Sequence, residues 1–124
     1  KLPDPSLVGN AGSFFKNPIV EKSVVDALRQ KYDSIPVYEA ENGLFKLAAG
    51  WLIEKAGCKG ITHGNVGTWE KQSLVIVNRG NAKPHEVVAL AKYIMAEVLN
   101  KFNIKLEPEV RTYGSKGEIS WDTL

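Results

Sequence analysis

The sequence predicts an α+β domain in which a mainly antiparallel sheet has helices packed on one side. Short runs of aromatic and β-branched residues are separated by turn residues, as is typical of strands. Other segments repeat apolar residues at helical spacing, and the longest of them lies near residues 84–102. The two kinds of segment do not alternate strictly, which argues against a parallel sheet. At 124 residues the chain has the length of one domain, so we expect a single domain over residues 1–124.

The first predicted elements are a loop, a strand and a helix. Residues 1–12 contain two prolines and two glycines and are predicted to form a loop. A strand rich in aromatic and β-branched residues is predicted over 13–20. A helix is then predicted over 21–32, starting at Glu21 or at a cap formed by Ser23, with an apolar stripe made of Val24, Val25, Leu28 and Tyr32.

A hairpin is the strongest local prediction in the middle of the chain. An Asn-Gly pair at 42–43 lies between apolar runs at 36–40 and 44–47. Both residues tolerate the positive φ angles that a tight hairpin turn requires. A short helix is predicted over 48–56, and Gly57 is suited to its end.

One long helix dominates the second half. Residues 60–69 contain three glycines and are predicted as a loop that could include a short strand, and 73–78 as a buried strand. Pro84 suits the first turn of a helix that runs to about Phe102, because its missing N–H needs no partner there. The predicted core stripe of this helix consists of Val87, Leu90, Ala91, Ile94, Val98 and Leu99.

The last predicted strand runs from Ile104 to about Tyr113. Apolar and polar residues alternate along it, so one face is apolar and the other carries Lys105, Glu107, Glu109 and Arg111. The tail that follows contains glycines and is predicted to be irregular.

Composition argues against several classes of function. The net charge of +2, without runs of basic residues, does not indicate a nucleic-acid or membrane partner. No segment of the sequence resembles a membrane-spanning helix, and no Cys/His cluster has metal-site spacing, so we expect no metal.

Cys58 is the single cysteine, which fits a reducing cytoplasm. We expect a cytoplasmic monomer and, because residue 1 is Lys, a piece of a longer protein.

Ser13 is the first candidate for chemistry, because it follows a run of small residues at 9–12 that lets a ligand approach the backbone. The alternative is an ordinary glycine-rich turn. A nucleophilic serine needs a nearby base, and only His63 and His85 are available as histidines. The spacing around Ser13 does not fit a nucleophile elbow, so we expect its hydroxyl to donate a proton or a hydrogen bond instead.

Glu109 and Arg111 form the second candidate, since a spacing of two places them on one strand face. An arginine can hold a substrate carboxylate while an adjacent acid polarises it. The alternative is the solvated face of an amphipathic strand with a weak ion pair. The pattern alone leaves both interpretations open.

Three blocks carry a resemblance to a known family. They are GNAGSFFKNP at 9–18, KLAAGWLIEKAG at 46–57 and LEPEVR at 106–111, supported by NAK at 81–83. In order and spacing they resemble the carboxy-terminal part of UDP-N-acetylenolpyruvoylglucosamine reductases, the MurB-type flavoenzymes. The likeness covers essentially the whole chain.

The resemblance implies a reaction and its cofactors. In this family NADPH reduces FAD, and the flavin passes a hydride to the methylene carbon of an enolpyruvyl ether. A proton at the adjacent carbon then completes UDP-N-acetylmuramate, a peptidoglycan precursor. The FAD-binding domains would precede residue 1. We therefore expect the isolated chain to bind no FAD and to be inactive.

The resemblance also implies site residues. Ser13 matches the family's proton donor, and Glu109 the glutamate near the substrate carboxylate, with Arg111 beside it. The UDP portion of the UDP-sugar substrate would contact Lys1, Asn17, Tyr38, Lys46 and Gln72. The alternative is a stand-alone nucleotide-sugar or phosphate-binding module without redox activity.

Overall fold

The computed structural model describes residues 14–78, 80–81, 83–109, 112–114 and 117–119. Within them the elements follow in the order β1 (Ile19–Val20), α1 (Lys22–Lys31), β2 (Val37–Glu39), β3 (Phe45–Leu47), α2 (Ala49–Lys55), β4 (Thr62–His63), β5 (Val66–Trp69), β6 (Gln72–Asn78), α3 (Pro84–Phe102), β7 (Thr112–Gly114) and β8 (Gly117–Ile119). All strand pairs among the described residues are antiparallel. The prediction of an α+β domain is confirmed.

The first sheet contains the predicted hairpin. Its strand order is β1-β3-β2, with β3 in the centre. A short 3₁₀ turn, Glu41–Gly43, joins β2 to β3, and Asn42 and Gly43 both have positive φ, at 59° and 73°. The Asn-Gly pair therefore supplies the backbone geometry that the sequence predicted.

The second sheet includes a segment that was expected to be mostly loop. Its order is β4-β5-β6, and β4 and β5 both fall within residues 60–69. The side chain of Thr68 is fully buried there, and its Oγ1 donates to the carbonyl of Cys58 at 2.5 Å and accepts the N–H of Ile61 at 3.0 Å. These two bonds hold the glycine-rich approach to β4 against β5, which periodicity alone does not reveal.

The end of the chain differs most from its prediction. Between Ile104 and Glu109 the side chains alternate between lower and higher exposure, as expected. The strand pairing predicted there is reduced to one isolated bridge between Phe15 and Pro108. Proline has no N–H to extend such a ladder. The expectation of an irregular tail is wrong for residues 117–119. These residues form β8, which pairs with β7 from Gly114↔Gly117 to Thr112↔Ile119.

The helices pack on the sheets through the predicted apolar faces, with one correction. Val25 and Leu28 of α1 are buried, and α2 packs against β6, where Ser73 Oγ donates to the carbonyl of Gly50 at 2.8 Å. In α3 the residues Leu90, Ala91, Ile94, Val98 and Phe102 are buried. Leu99, predicted to be in the core, is instead 45% exposed, because Val98 and Phe102 occupy the inward positions of the last turns.

The two ends of α3 are fixed by different contacts. At its start the Glu86 carboxylate accepts the backbone N–H of Asn65 at 3.3 Å and its side-chain amide at 3.4 Å, which ties the β4–β5 turn to the helix. At its end Asn103 adopts the left-handed conformation with φ of 58° and donates to the carbonyl of Leu99. Among the described helices, none combines the length and apolar character needed to cross a lipid bilayer.

Candidate functional site

The candidate site is built around residues 14–20, which we call the linking segment. Its first two side chains, Phe14 and Phe15, are 0% and 2% exposed, with ring centroids 5.0 Å apart in an edge-to-face arrangement. The N–H of Phe14 donates to the carbonyl of Leu74 on β6 at 2.8 Å. Burial of two aromatic rings anchors this end of the segment in the core.

The linking segment pairs with the stretch that carries Glu109. The N–H of Lys16 donates to the carbonyl of Glu107 at 2.8 Å, and the N–H of Glu109 donates to the carbonyl of Phe14 at 2.6 Å. Glu107 and Glu109 are exposed. Two of the blocks that define the family resemblance are thus hydrogen-bonded to each other.

Three of the predicted site residues lie outside the described residues. They are Ser13, Lys1 and Arg111. Their predicted roles therefore stay predictions. Glu109 is described, and it is bonded through its backbone to Phe14, the residue that follows Ser13 in the sequence.

Asn17 has a structural contact that the sequence did not reveal. Its Oδ1 accepts the backbone N–H of Ala49, the first residue of α2, at 3.0 Å. The N-cap residue of this helix, Ala48, makes no side-chain cap bond. A side chain from a distant segment thus supplies the cap that the local sequence lacks. The alanine at the N-cap indicates in the sequence that a local side-chain cap is missing. It does not indicate which residue takes the place of that cap.

Tyr38 and Lys46 lie side by side on the first sheet. Lys46 is the direct cross-strand partner of Tyr38 on β2 and of Ile19 on β1. Direct partners in an antiparallel pair project from the same face. Tyr38 is 57% exposed, Ile19 is 50% exposed and Lys46 is also exposed. The structure therefore brings two predicted UDP-binding residues together on an accessible face, with an unpredicted isoleucine beside them.

Gln72 lies apart from this pair in the strand pattern. It is the first residue of β6, exposed, and paired with Trp69 in the second sheet. No pairing of the described strands joins the second sheet to the row of Tyr38 and Lys46. The prediction that Gln72 binds the same ligand stays a prediction.

Two open grooves meet at Ile19. The Lys16 groove has a volume of about 410 Å³ and is lined by Lys16, Asn17, Pro18, Ile19, Val20, Val24, Asn103, Ile104, Lys105 and Glu107. The Lys46 groove has a volume of about 560 Å³ and is lined by Ile19, Glu39, Ala40, Glu41, Asn42, Leu44 and Lys46. Both grooves carry lysine side chains that could approach an anionic ligand.

Cys58 does not belong to this site. It is 1% exposed, and burial raises the pKa of its thiol to about 11, with a smaller contribution from the negative charge of Glu97. A thiol with this pKa is protonated at neutral pH and is a poor nucleophile. The described residues contain no group of His, Cys, Asp and Glu side chains suited to a metal ion.

Comparisons with known proteins show the family to which the chain belongs. The family model for the carboxy-terminal domain of UDP-N-acetylenolpyruvoylglucosamine reductase matches residues 4–113. The reductase of that name from Photorhabdus laumondii is 52% identical over 119 residues, which is 96% of this chain and 35% of the relative. The reductases of Pectobacterium atrosepticum and Escherichia coli K12 are each 48% identical over 120 residues, again 35% of their length. The chain thus spans about a third of the curated relatives that it matches.

Proposed function

The chain belongs to the family of carboxy-terminal domains of UDP-N-acetylenolpyruvoylglucosamine reductases, and from this we propose that it binds the UDP-sugar substrate and supplies the proton that completes its reduction. The wider role would be the synthesis of a peptidoglycan precursor in the cytoplasm. Cell shape and division would depend on that synthesis.

One observation carries the proposal. The antiparallel bonds between Lys16 and Glu107 and between Glu109 and Phe14 join the two sequence blocks that hold the proposed acid-base residues. Glu109 is therefore hydrogen-bonded to the immediate chain neighbour of Ser13. A proton donor and a carboxylate must act on adjacent atoms of one substrate, and this pairing supports that requirement.

Ser13 would donate the proton. The substrate accepts it at the carbon next to its carboxylate, so that a C–H bond forms as the serine O–H bond breaks. Arg111 would hold the substrate carboxylate, where negative charge accumulates before the proton arrives, and Glu109 would lie beside it. The exposure of Glu109 leaves its carboxylate accessible to a ligand.

The UDP portion would lie on the first sheet. Lys46 offers a cation for the diphosphate, and the exposed ring of Tyr38 offers a surface for the uracil. Because Oδ1 of Asn17 is held by α2, its amide N–H₂ group is oriented and can donate to a ligand oxygen. Lys1 and Gln72 complete the proposed contacts on the strength of the resemblance alone.

The two grooves beside the linking segment do not fit a flavin. Phe14 and Phe15, the aromatic residues closest in sequence to Ser13, are buried in the core and offer no free ring face. The grooves beside the linking segment are lined mainly by lysines, glutamates and aliphatic side chains rather than by a flat aromatic slot. We therefore assign FAD and NADPH to the remainder of the enzyme and assign only substrate binding and proton transfer to this chain.

Rapid kinetics of the full-length enzyme test the proposal. We expect Ser13→Ala to slow reoxidation of the reduced enzyme by the UDP-sugar about 10²- to 10⁴-fold, the usual range for loss of a general acid. Reduction by NADPH should be nearly unchanged, because Ser13 takes no part in it. Equal losses in both half-reactions would show that the substitution damages the fold, and reoxidation at the wild-type rate would show that the assigned role is wrong.

A further inference from the structure

We propose that Ser73 is a positioning residue that fixes the linking segment, a role whose consequence for the reaction rests on the proposed function. In the part of the chain that the structure describes, Ser73 and Thr68 are the two buried polar side chains. Thr68 holds the approach to β4 against β5, and Ser73 bonds instead to the first turn of α2. Burying a hydroxyl costs free energy unless it is hydrogen-bonded, so its partner indicates what the side chain does.

Ser73 lies where β6 departs from a regular ladder. The register between β5 and β6 shifts between Thr68 and Trp69, and residues 73–75 of β6 are left without a direct partner on β5. An irregularity of this kind frees backbone groups from the ladder and redirects side chains, and such bulges are frequent beside functional sites. Here it makes a hydroxyl and a carbonyl of β6 available to other segments.

Two hydrogen bonds connect this bulge to the linking segment through α2. Ser73 Oγ donates to the carbonyl of Gly50 at 2.8 Å, and the residue before Gly50, Ala49, donates its N–H to Oδ1 of Asn17 at 3.0 Å. The helix lies close to the bulge, because a Cβ placed on Gly50 would be 3.6 Å from Oγ of Ser73. The first turn of α2 is thus held both by β6 and by the linking segment.

A third hydrogen bond returns directly from the linking segment to the bulge. The N–H of Phe14 donates to the carbonyl of Leu74, the residue that follows Ser73, at 2.8 Å. The three bonds therefore close a ring through β6, α2 and the linking segment. In a closed ring each bond limits the movement that the other two allow, so the loss of one bond weakens the other two.

The ring positions the part of the linking segment that leads to the proposed site. Both backbone polar groups of Phe14 are engaged, since its N–H belongs to the ring and its carbonyl accepts the N–H of Glu109 at 2.6 Å. The place of Glu109 relative to the residues around Phe14 therefore depends on the ring. Because catalysis is sensitive to displacements of about 1 Å, a loosened ring would slow the step that we assign to Ser13 and Glu109.

Hydrogen exchange in the full-length protein, followed by mass spectrometry, tests the ring without any ligand. We expect Ser73→Ala to speed exchange about tenfold in peptides that cover Phe14 and Ala49, and to leave peptides from the middle of α3 within about twofold of the wild type. Ser73→Thr keeps a hydroxyl and should restore most of the protection. Ser23→Ala is the matched control, because Ser23 is exposed on α1 and lies outside the ring.

The two half-reactions of the same full-length variants test the positioning role. We expect Ser73→Ala to slow reoxidation by the UDP-sugar about tenfold and to change reduction by NADPH less than about twofold. Ser73→Thr should react like the wild type in both. A variant that is merely unstable would instead lose both activities together, in proportion to its folded fraction.

The outcomes separate the ring, its positioning role and the proposed function. Unchanged exchange at Phe14 and Ala49 in Ser73→Ala, or faster exchange that extends equally to α3, overturns the inference. Faster local exchange with both half-reactions at wild-type rates overturns the positioning role, and faster local exchange with selectively slowed reoxidation supports it. If Ser13→Ala is reoxidised at the wild-type rate, the proposed function fails and the positioning role fails with it, while the exchange rates still decide whether the ring holds the segment.

Discussion

Replacing Asn17 by alanine tests the contact between the linking segment and α2. The substitution removes the oxygen that accepts the N–H of Ala49 at 3.0 Å. Asn17 is itself exposed, so its loss opens the abandoned N–H to water. Loss of a helix cap costs about 1–2 kcal/mol.

The measurement is thermal unfolding of the 124-residue chain followed by circular dichroism. For a domain of this size 1 kcal/mol corresponds to about 4 °C in Tm, so we expect Asn17→Ala to lower the Tm by about 4–8 °C. Asn17→Asp retains an acceptor oxygen and places a negative charge near a helix start, so its Tm should stay within about 2 °C of the wild type.

Asn100→Ala is the matched control. Asn100 is exposed on α3, and loss of its side chain should leave the Tm unchanged or slightly raised because alanine favours the helix. The explanation is refuted if Asn17→Ala melts like the wild type, or if Asn17→Asp is as unstable as Asn17→Ala. In the full-length enzyme Asn17→Asp should still bind UDP poorly, because it has lost the amide donors and adds a charge that repels the diphosphate.

Two further predictions concern the thiol and the flavin. The pKa of Cys58 is raised from 9.0 to about 11 in the folded chain, so the unfolded state loses this proton first and the free energy of unfolding falls as pH rises through that interval. Urea unfolding should therefore show that the free energy of unfolding falls less between pH 8 and pH 10 for Cys58→Ala than for the wild type. An identical fall in both proteins would contradict a raised pKa of Cys58. The purified 124-residue chain should bind no FAD and reduce no substrate, and stoichiometric flavin absorbance after dialysis against FAD would contradict this.

The elements that were predictable depend on local rules. The hairpin turn requires positive φ at two adjacent positions, and Asn42 and Gly43 are residues that tolerate it. The start of α3 follows from Pro84, and its buried face from the spacing of its apolar residues. These signals lie within a few residues of the structure that they determine.

The elements that were missed depend on distant partners. β4 and β5 form in a glycine-rich stretch because Thr68 is buried against Cys58 and Ile61, and because Glu86 holds the turn at Asn65. The strand predicted to begin at Ile104 had the correct alternation of exposure, but Pro108 limits its ladder. Periodicity reports which face is apolar and does not report whether a hydrogen-bonding partner is available.

In the candidate site, too, some features follow from the sequence and others depend on contacts between distant segments. The resemblance selected Tyr38 and Lys46 separately, and only the strand register shows that they are direct neighbours. The cap formed by Asn17 and the place of Ile19 in the same row depend on contacts between segments far apart in the chain. No local pattern encodes either feature.

The linking segment also has a consequence for the order of folding. In succession it bonds to β6, to residues 107–109 and to β3, so its full set of bonds cannot form until residues from both the middle and the far end of the chain have been made. Contacts of such long sequence separation carry a large loop-closure entropy and slow folding. We therefore expect the local hairpin and α3 to form early and the linking segment to dock late. During synthesis, this segment, which follows Ser13 in the sequence, would leave the ribosome well before the residues that hold it in place.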